Sequence, residues 1–234
     1  MRRRPRGVPS STMSSASRRS SASAGIEARG SRDARRSSGI SSGAEIVASG
    51  FVTIAQIVES LGHVLPLVTE RLVLRAMRSD EVDGLAEIYL DPRVMHWIGP
   101  HTRGDVEHEV ARQLSYQQSF GWSLWAVEDR ETGRLIGDCG LQPLEHAGPE
   151  VELGYDFHPD VWGRGLATEA ARAVMAAAFG ALAIPEVVAV VKPAHVASQR
   201  VLEKVGLARM GACAAYGEIM VLYKAVGVPR TSRR

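Results

Sequence analysis

The chain has 234 residues, of which 45% are hydrophobic, and carries a formal net charge of +2. This length suits one domain of ordinary size with a tail, or two very small domains, and the lack of any run of about 18 apolar residues excludes a membrane-spanning helix. Because Cys139 and Cys213 form no CxxC motif or Cys/His cluster, a zinc site and a disulfide framework are excluded, and we expect a reduced, cytoplasmic protein without a metal.

The first 50 residues differ in composition from the rest. Residues 1–44 contain 10 Arg and 13 Ser but only two acidic residues, so they carry +8 and leave −6 for the remainder. A segment without Leu, Phe, Tyr or Trp buries too little apolar surface to fold, so residues 1–50 are predicted to be disordered. The Arg run at residues 2–4 has no apolar stretch behind it, which argues against a secretion signal. Two interpretations stay open: a nucleic-acid-binding arm, or upstream sequence translated from a wrongly assigned start.

The first elements after this tail are mostly helical. Apolar residues at helical spacing predict a short amphipathic helix over residues 51–65. A strand follows around Leu72, and then a helix that begins at Ser79 or Asp80 and ends near Leu90, before Asp91-Pro92. A further helix is predicted from Thr102 or Asp105 to Ser119.

Strands dominate the second half of the chain. The pattern predicts the following elements in order: a hairpin of residues 122–128 and 135–144, a strand at residues 151–157, a helix at 167–179, a buried strand at 187–191, a helix at 196–205 ended by Gly206, and closing strands at 207–213 and 218–226, with a short tail at 228–234. This order predicts one mixed α/β (α+β) domain over residues 66–227. Its mostly antiparallel sheet should have six to seven strands, a central parallel βαβ crossover and about four helices.

A glycine turn lies between the strand at 151–157 and the following helix. In its sequence, VWGRGLATEAA (residues 161–171), Gly163 and Gly165 permit positive φ, and the helix start presents free N–H groups to an anion. There is no GxxxxGK[ST] motif and no complete GxGxxG motif. The turn therefore predicts a phosphate-bearing ligand other than ATP or NAD, the alternative being a turn without a ligand.

Alternation along the strand at 151–157 places Glu152, Gly154 and Asp156 on one face and Leu153 and Tyr155 on the other. If the first face lines a cleft, burial would raise the pKa of the Glu152 carboxyl towards neutrality, which suits a general base. The alternative is a solvated or salt-bridged carboxylate.

Three blocks together resemble one known family. TERLVLR (69–75), ELGYDFHPDVWGRGLATEA (152–170) and HVASQRVLEKVGL (195–207) resemble the GNAT superfamily of N-acetyltransferases, and in particular its ribosomal-protein N-terminal acetyltransferase-like branch. The resemblance implies a GNAT-like fold, acetyl-CoA as co-substrate and acetyl transfer to a primary amine by direct attack. The acceptor would be a protein or peptide N-terminus or a small-molecule amine, which the sequence does not identify.

The resemblance also implies roles for single residues. Glu152 would be the general base, and Ser198 would protonate the leaving thiolate, in place of the Tyr that many relatives carry where this chain has Leu202; water is the alternative to Ser198. His195 replaces the usual Asn and would either contact CoA or only cap its helix. The backbone of the turn would bind the CoA pyrophosphate through Trp162, Gly163, Arg164, Gly165, Leu166, Ala167 and Thr168. Backbone groups at the end of the preceding strand would bind the pantetheine arm, namely those of Asp156, Phe157 and His158.

The acceptor side carries the weakest signals. Trp97 and Trp122, along with Trp125 on the hairpin, would line an acceptor slot, as in relatives, or else would pack in the core. We expect no membrane partner, nucleic acid only through the basic tail, and a monomer or homodimer. The alternative to an enzyme is a catalytically weak acyl-CoA-binding sensor, because the Tyr is missing and His195 replaces Asn.

Overall fold

The computed structural model describes residues 64–227. The predictions for the tails at 1–50 and 228–234, and for most of the helix at 51–65, therefore lie outside the described residues. Within them, eight strands form one sheet in the order β1-β2-β3-β4-β5-β6-β8-β7. The strands are β1 (Leu67–Val68), β2 (Leu72–Arg75), β3 (Leu124–Asp129), β4 (Leu135–Pro143), β5 (Val151–Phe157), β6 (Glu186–Val191), β7 (Ala208–Ala215) and β8 (Glu218–Val226).

The sheet confirms the predicted mixed topology. Neighbouring strands are antiparallel except β5 and β6, which are parallel. The count of eight exceeds the predicted six to seven because β1 has two residues, Leu67 and Val68, which is too short for an alternating pattern to be visible.

Five α-helices occur in the described residues, one more than predicted. They are α1 (Val82–Tyr89), α2 (Pro92–Ile98), α3 (Arg103–Phe120), α4 (Leu166–Phe179) and α5 (Val196–Lys204). The extra helix is α2. Asp91-Pro92 was predicted only to stop a helix, but Asp91 also accepts a hydrogen bond from the Arg93 N–H at 2.8 Å, and Pro92 occupies the first helical position, where its missing N–H costs nothing. None of these five helices is long and apolar enough to cross a membrane.

The alanine-rich helix α4 packs against the sheet. Its Ala170, Ala171 and Ala178 are fully buried, and their small side chains allow the helix to approach the strands closely. On the opposite side, α1, α2 and α3 share a second apolar cluster, which includes Leu85 and Val106. The helices therefore cover both faces of the sheet.

The connection from β5 through α4 to β6 determines where the site lies. β5 pairs with β4 over all seven of its residues but has one registered pair with β6, Glu152 with Val188. Beyond that pair the two strands diverge. The resulting gap faces the first turns of α4 and α5, so strand edges and helix N-termini meet around one opening.

Candidate active site

Two cavities meet in the gap between β5 and β6. The large cavity, of about 600 Å³, lies against the glycine turn and α5, and the small cavity, of about 330 Å³, lies against the Glu152 face of β5. Five residues line both cavities and form what we call the junction: Trp97, Tyr155, Asp156, His195 and Ser198. A ligand that extends through the large cavity would therefore present its end to a second ligand in the small one.

The glycine turn adopts the backbone that its sequence predicts. Gly163 has φ 75° and Gly165 has φ 77°, both in the left-handed region. Gly165 precedes α4, and no side chain caps that helix. The first N–H groups of α4 and its positive dipole end are therefore directed to the large cavity, which Gly163, Leu166, Ala167 and Thr168 line.

Hydrogen bonds that no local sequence pattern reveals fix the conformation of this turn. Glu169, in the first turn of α4, accepts hydrogen bonds from the Thr69 hydroxyl at 2.6 Å and from Arg71 Nε at 2.7 Å. Arg71 Nη1 also donates to the Arg164 carbonyl at 3.0 Å, in the middle of the turn. The signal was present in the sequence as Thr69 and Arg71 in one block and Glu169 in another, but 98 to 100 positions separate these partners.

The end of β5 is paired with β4. The His158 N–H donates to the Ile136 carbonyl at 2.9 Å, and Asp156 is registered with Asp138 on β4. The backbone N–H of His158 is thus engaged by β4, and its imidazole Nδ1 accepts from the Asp160 N–H at 3.2 Å. His158 lines neither cavity, and its contact with the pantetheine stays a prediction. By alternation, the backbone of Tyr155 and Phe157 faces the gap. The Phe157 carbonyl already accepts from the Trp162 indole at 2.7 Å but keeps a second lone pair.

Two cations on α5 also line the large cavity. Arg200 and Lys204 lie one helical turn apart on α5, on the side of the large cavity that faces the glycine turn. Their sequence pattern does not indicate a binding role, because isolated basic residues on a helix usually mark a solvated face. Their place in the cavity gives it positive charge beyond the helix N-terminus.

Glu152 lies in the small cavity with 5% of its surface exposed. Burial raises the pKa of its carboxyl from 4.5 to about 7, against the opposing effect of hydrogen bonds from Tyr216 and Gln142. The Tyr216 hydroxyl donates to Glu152 Oε2 at 2.5 Å, and Gln142 Nε2 donates to the same oxygen at 3.2 Å. The carboxyl is fixed in orientation and titrates near neutrality.

Ser198 lies at the junction within reach of a second hydroxyl. Its Oγ is 2.8 Å from the hydroxyl of Tyr155, whose pKa is raised mainly by burial. Leu202, at the position where many relatives carry a Tyr, is buried with 2% exposure and supplies no hydroxyl. Tyr155 therefore brings a phenol to the junction from the strand instead of the helix.

His195 and Trp97 form a stacked pair at the junction. Their ring centroids are 3.9 Å apart and the rings are inclined by 15°. Burial, and then the neighbouring His96, lower the pKa of His195 to about 4, so it is neutral at physiological pH. The His195 side chain makes no capping hydrogen bond to α5. The rings of His195 and Trp97 line both cavities.

Trp122 packs outside both cavities. It belongs to the lining of neither cavity and stacks on Phe120 with ring centroids 4.9 Å apart. Trp125 is fully buried in the core, where its indole donates to Gln117. Trp122, which lies just before β3, packs against the core and the end of α3 instead, and its role at the acceptor slot stays a prediction.

The small cavity also has an acidic lining. Glu109, Glu152, Asp156 and Glu218 face it, and its one lysine, Lys192, is paired with Glu218 at 3.0 Å. Among residues 64–227, no group of three or more His, Cys, Asp or Glu side chains is arranged to hold a metal ion. This acidity favours a positively charged ligand.

The large cavity suits a phosphorylated co-substrate and opens onto the small cavity with its buried carboxylate, Glu152. This arrangement is typical of a group-transfer enzyme. The Acetyltransferase (GNAT) domain family matches residues 71–208, and the chain belongs to this family of acetyltransferases.

Relatives and solved structures agree with this assignment. YkkB of Bacillus subtilis is 35% identical over 144 residues, 60% of this chain and 84% of YkkB. The N-acetyltransferase YoaA of the same species is 29% identical over 154 residues, 64% of this chain and 86% of YoaA. The crystal structure of an acetyltransferase from Agrobacterium tumefaciens is 29% identical, with a TM-score of 0.60 over 68% of this chain and 92% of that one.

More distant structures share the fold alone. One is a ribosomal-protein-S5-alanine acetyltransferase from Vibrio fischeri, 16% identical with a TM-score of 0.60 over 70% of this chain and 97% of that one. Another is an aminoglycoside acetyltransferase in complex with coenzyme A, 18% identical with a TM-score of 0.56 over 66% and 94%. The same architecture thus occurs in proteins named for protein acceptors and for small-molecule acceptors.

Proposed function

We propose that this chain transfers the acetyl group of acetyl-CoA to a primary amine by direct attack. Acetyl-CoA occupies the large cavity and the amine enters through the small one. The observation that carries the proposal is the junction, where the two cavities share Tyr155 and Ser198 next to a buried carboxylate face. A sensor of acyl-CoA would need the large cavity but not the small one.

The residues around the large cavity fit CoA. The N–H groups from Gly163 to Thr168 would hold the pyrophosphate, since the Trp162 N–H already donates to the Pro159 carbonyl at 3.1 Å. Arg200 and Lys204 would face its remaining negative charge. The backbone of Tyr155 and Phe157 would pair with the pantetheine amides as an added strand. When bound, acetyl-CoA supplies the activated acyl group, and the protein supplies position and proton transfers.

Glu152 is proposed as the general base. With a pKa of about 7, about half of its carboxyl is ionised near neutral pH, so it accepts a proton there without being too weak a base. It acts on the amine directly or through one water, as its place in the small cavity allows. Tyr216 and Gln142 keep the accepting oxygen in one orientation.

Ser198 is proposed as the proton donor to the leaving thiolate. The amine nitrogen forms a bond to the acetyl carbon, the C–S bond breaks, and the sulfur takes the Ser198 hydroxyl proton. The Tyr155 hydroxyl at 2.8 Å then returns a proton to Ser198 and takes one in turn from solvent water. This pair performs the role that the Tyr at the position of Leu202 has in relatives.

The acceptor is proposed to be a cationic amine. The small cavity presents carboxylates and its single lysine is already paired, so an ammonium group is attracted and an acidic acceptor is repelled. Peptide N-termini, as in the ribosomal-protein acetyltransferase branch, and small-molecule amines both satisfy this requirement.

The test is thiol release from acetyl-CoA by the full chain with a panel of N-terminal peptides and small amines. Acceptor-dependent release, with an acetylated product found by mass spectrometry, supports the proposal and separates the two acceptor classes. Tight acetyl-CoA binding without release for any acceptor would instead support the sensor.

A further inference from the structure

A second carboxylate lies closer to the junction than Glu152. Asp156 lines both cavities, whereas Glu152 lines only the small one. The two residues are four positions apart on β5, so their Cα atoms are about 13 Å apart along the strand. Gly154 lies between them on the same face and also lines the small cavity.

Asp156 has a partner directly across the strand pair. Asp138 on β4 is registered with Asp156, so the two side chains leave the sheet on the same face. Asp138 is fully buried, and its Oδ2 accepts from the Tyr89 hydroxyl at 2.7 Å. Its Oδ1 has no hydrogen-bond partner among the described residues. The carboxyl lies on the side of Tyr89, Glu109 and Asp156, all of which line the small cavity.

Within residues 64–227 no salt bridge reaches this pair, and among its neighbours the charge of His101 alone opposes the rise in the pKa of Asp156. The titratable groups that face Asp156 are Tyr89 of α1, His101 before α3, Glu109 of α3, Asp138 of β4 and His195 before α5. The salt bridges of the described residues include none to Asp156 or Asp138, and Glu109 is paired with Arg112 at 2.5 Å. Two buried carboxyls side by side are stabilised by sharing a proton.

The chemistry of acetyl transfer requires two proton acceptors. An amine enters as an ammonium ion and loses one proton before it attacks, and its nitrogen loses a second proton after the bond to the acetyl carbon has formed. The thiolate takes one proton, so one is released overall. The mechanism through Glu152 and Ser198 accounts for one of the two losses from nitrogen.

We propose that Asp156, backed by Asp138, is a further catalytic residue that takes the first proton from the entering ammonium group at the junction. The N–H bond breaks, its electron pair stays on nitrogen and the proton goes to a carboxylate oxygen of Asp156. Glu152, whose Cα lies about 13 Å away along the strand, accepts the second proton after attack through intervening water. The inference rests on the proposed N-acetyltransferase function.

The pKa values of the pair support this division. Burial and the charge of Glu109 raise the pKa of Asp156 to about 6, and burial together with Asp156 raises the pKa of Asp138 well above its usual range. A carboxyl with such a pKa is ionised at pH 7 and is a stronger base than an ordinary aspartate.

The experiment compares pH profiles of kcat/KM for full-length Asp156→Asn and Glu152→Gln, with an acceptor that the wild type acetylates. In Asp156→Asn only amine that arrives neutral reacts, and the neutral fraction rises tenfold per pH unit below the amine pKa. We expect a deficit of about 100-fold at pH 7 that falls to a few-fold at pH 9 to 9.5. The deficit of Glu152→Gln should persist at high pH, because the second proton still has to leave.

Two further variants keep the result interpretable. Asp138→Asn keeps an uncharged group of the same shape beside Asp156, as the protonated Asp138 does, so the acid limb of its profile should stay in place. Glu131→Gln, on the exposed β3–β4 turn, controls for loss of a carboxylate and should match the wild type. A deficit of Asp156→Asn that is constant across pH would overturn the inference. Absence of thiol release by the wild type would contradict the proposed function instead.

Discussion

Replacing Tyr216 by Phe should move the pH dependence of turnover without removing the general base. The Tyr216 hydroxyl donates to Glu152 Oε2 and lowers the pKa of that carboxyl against the effect of burial. In Tyr216→Phe the pKa of Glu152 should therefore rise above its present value of about 7, and the acid limb of kcat/KM should shift to higher pH.

The size of the shift follows from the hydrogen bond. A bond to a charged group contributes about 1.5–3 kcal/mol, and Tyr216 is 37% exposed, so the lower end applies. About 1.5 kcal/mol corresponds to about one pH unit, which reduces the ionised fraction of Glu152 at pH 7 from about one half to about one tenth. We expect kcat/KM to fall about fivefold at pH 7 and to approach the wild-type value near pH 9.

The assay is thiol release from pH 5.5 to 9.5 under subsaturating acceptor. Tyr223→Phe is the matched control, because it removes a hydroxyl from β8, the strand that follows Tyr216. This hydroxyl bonds Gln199 and Glu203 of α5 and not Glu152. An acid limb that stays in place, or moves to lower pH, would refute the role assigned to Tyr216.

Three further predictions concern the cofactor side and stability. Gly165→Ala forces a residue with a Cβ to φ 77° at about 1 kcal/mol, so KM for acetyl-CoA should rise about fivefold with little change in kcat. Arg71→Ala frees the Arg164 carbonyl and should also raise KM for acetyl-CoA, whereas Arg130→Ala, on the β3–β4 turn, should not. The pKa of Glu152 is higher in the folded state, about 7, than its ordinary value of 4.5, so its contribution to stability is lost as pH rises from 4.5 through about 7. In urea melts, the free energy of unfolding of Glu152→Gln minus that of the wild type should therefore be larger at pH 8 than at pH 4.5, by up to about 3 kcal/mol. An equal difference at both pH values would contradict the raised pKa of Glu152.

Much of the fold could be predicted because its signals are local. The alternation of β5, the glycines of the turn and the alanines of α4 each determine backbone conformation or packing within a few residues. The two elements that were missed, β1 and α2, lack such signals: β1 is two residues long, and the Asp91-Pro92 sequence that ends one helix is equally suited to begin the next.

The sequence predicts those site residues that lie together in one strand or turn, and not the contacts that join distant parts of the chain. Glu152 and the glycine turn belong to a single block of sequence. Tyr216 reaches Glu152 from 64 positions away, and Arg71 reaches the turn from 93 positions away. Such contacts depend on sheet order, which local patterns do not encode. Trp122 is the opposite case, in which a local signal did not lead to the site: this aromatic residue of the expected hairpin packs against the core.

The central claim is that Glu152 acts in the chemical step and not in binding acetyl-CoA. The most direct test measures, for wild type and Glu152→Gln in one series, the affinity for acetyl-CoA by calorimetry and kcat by thiol release. The account predicts unchanged affinity and a kcat reduced about 100-fold or more at pH 7.5. Equal kcat in both proteins, or a loss of acetyl-CoA affinity that accounts for the whole defect, would contradict it.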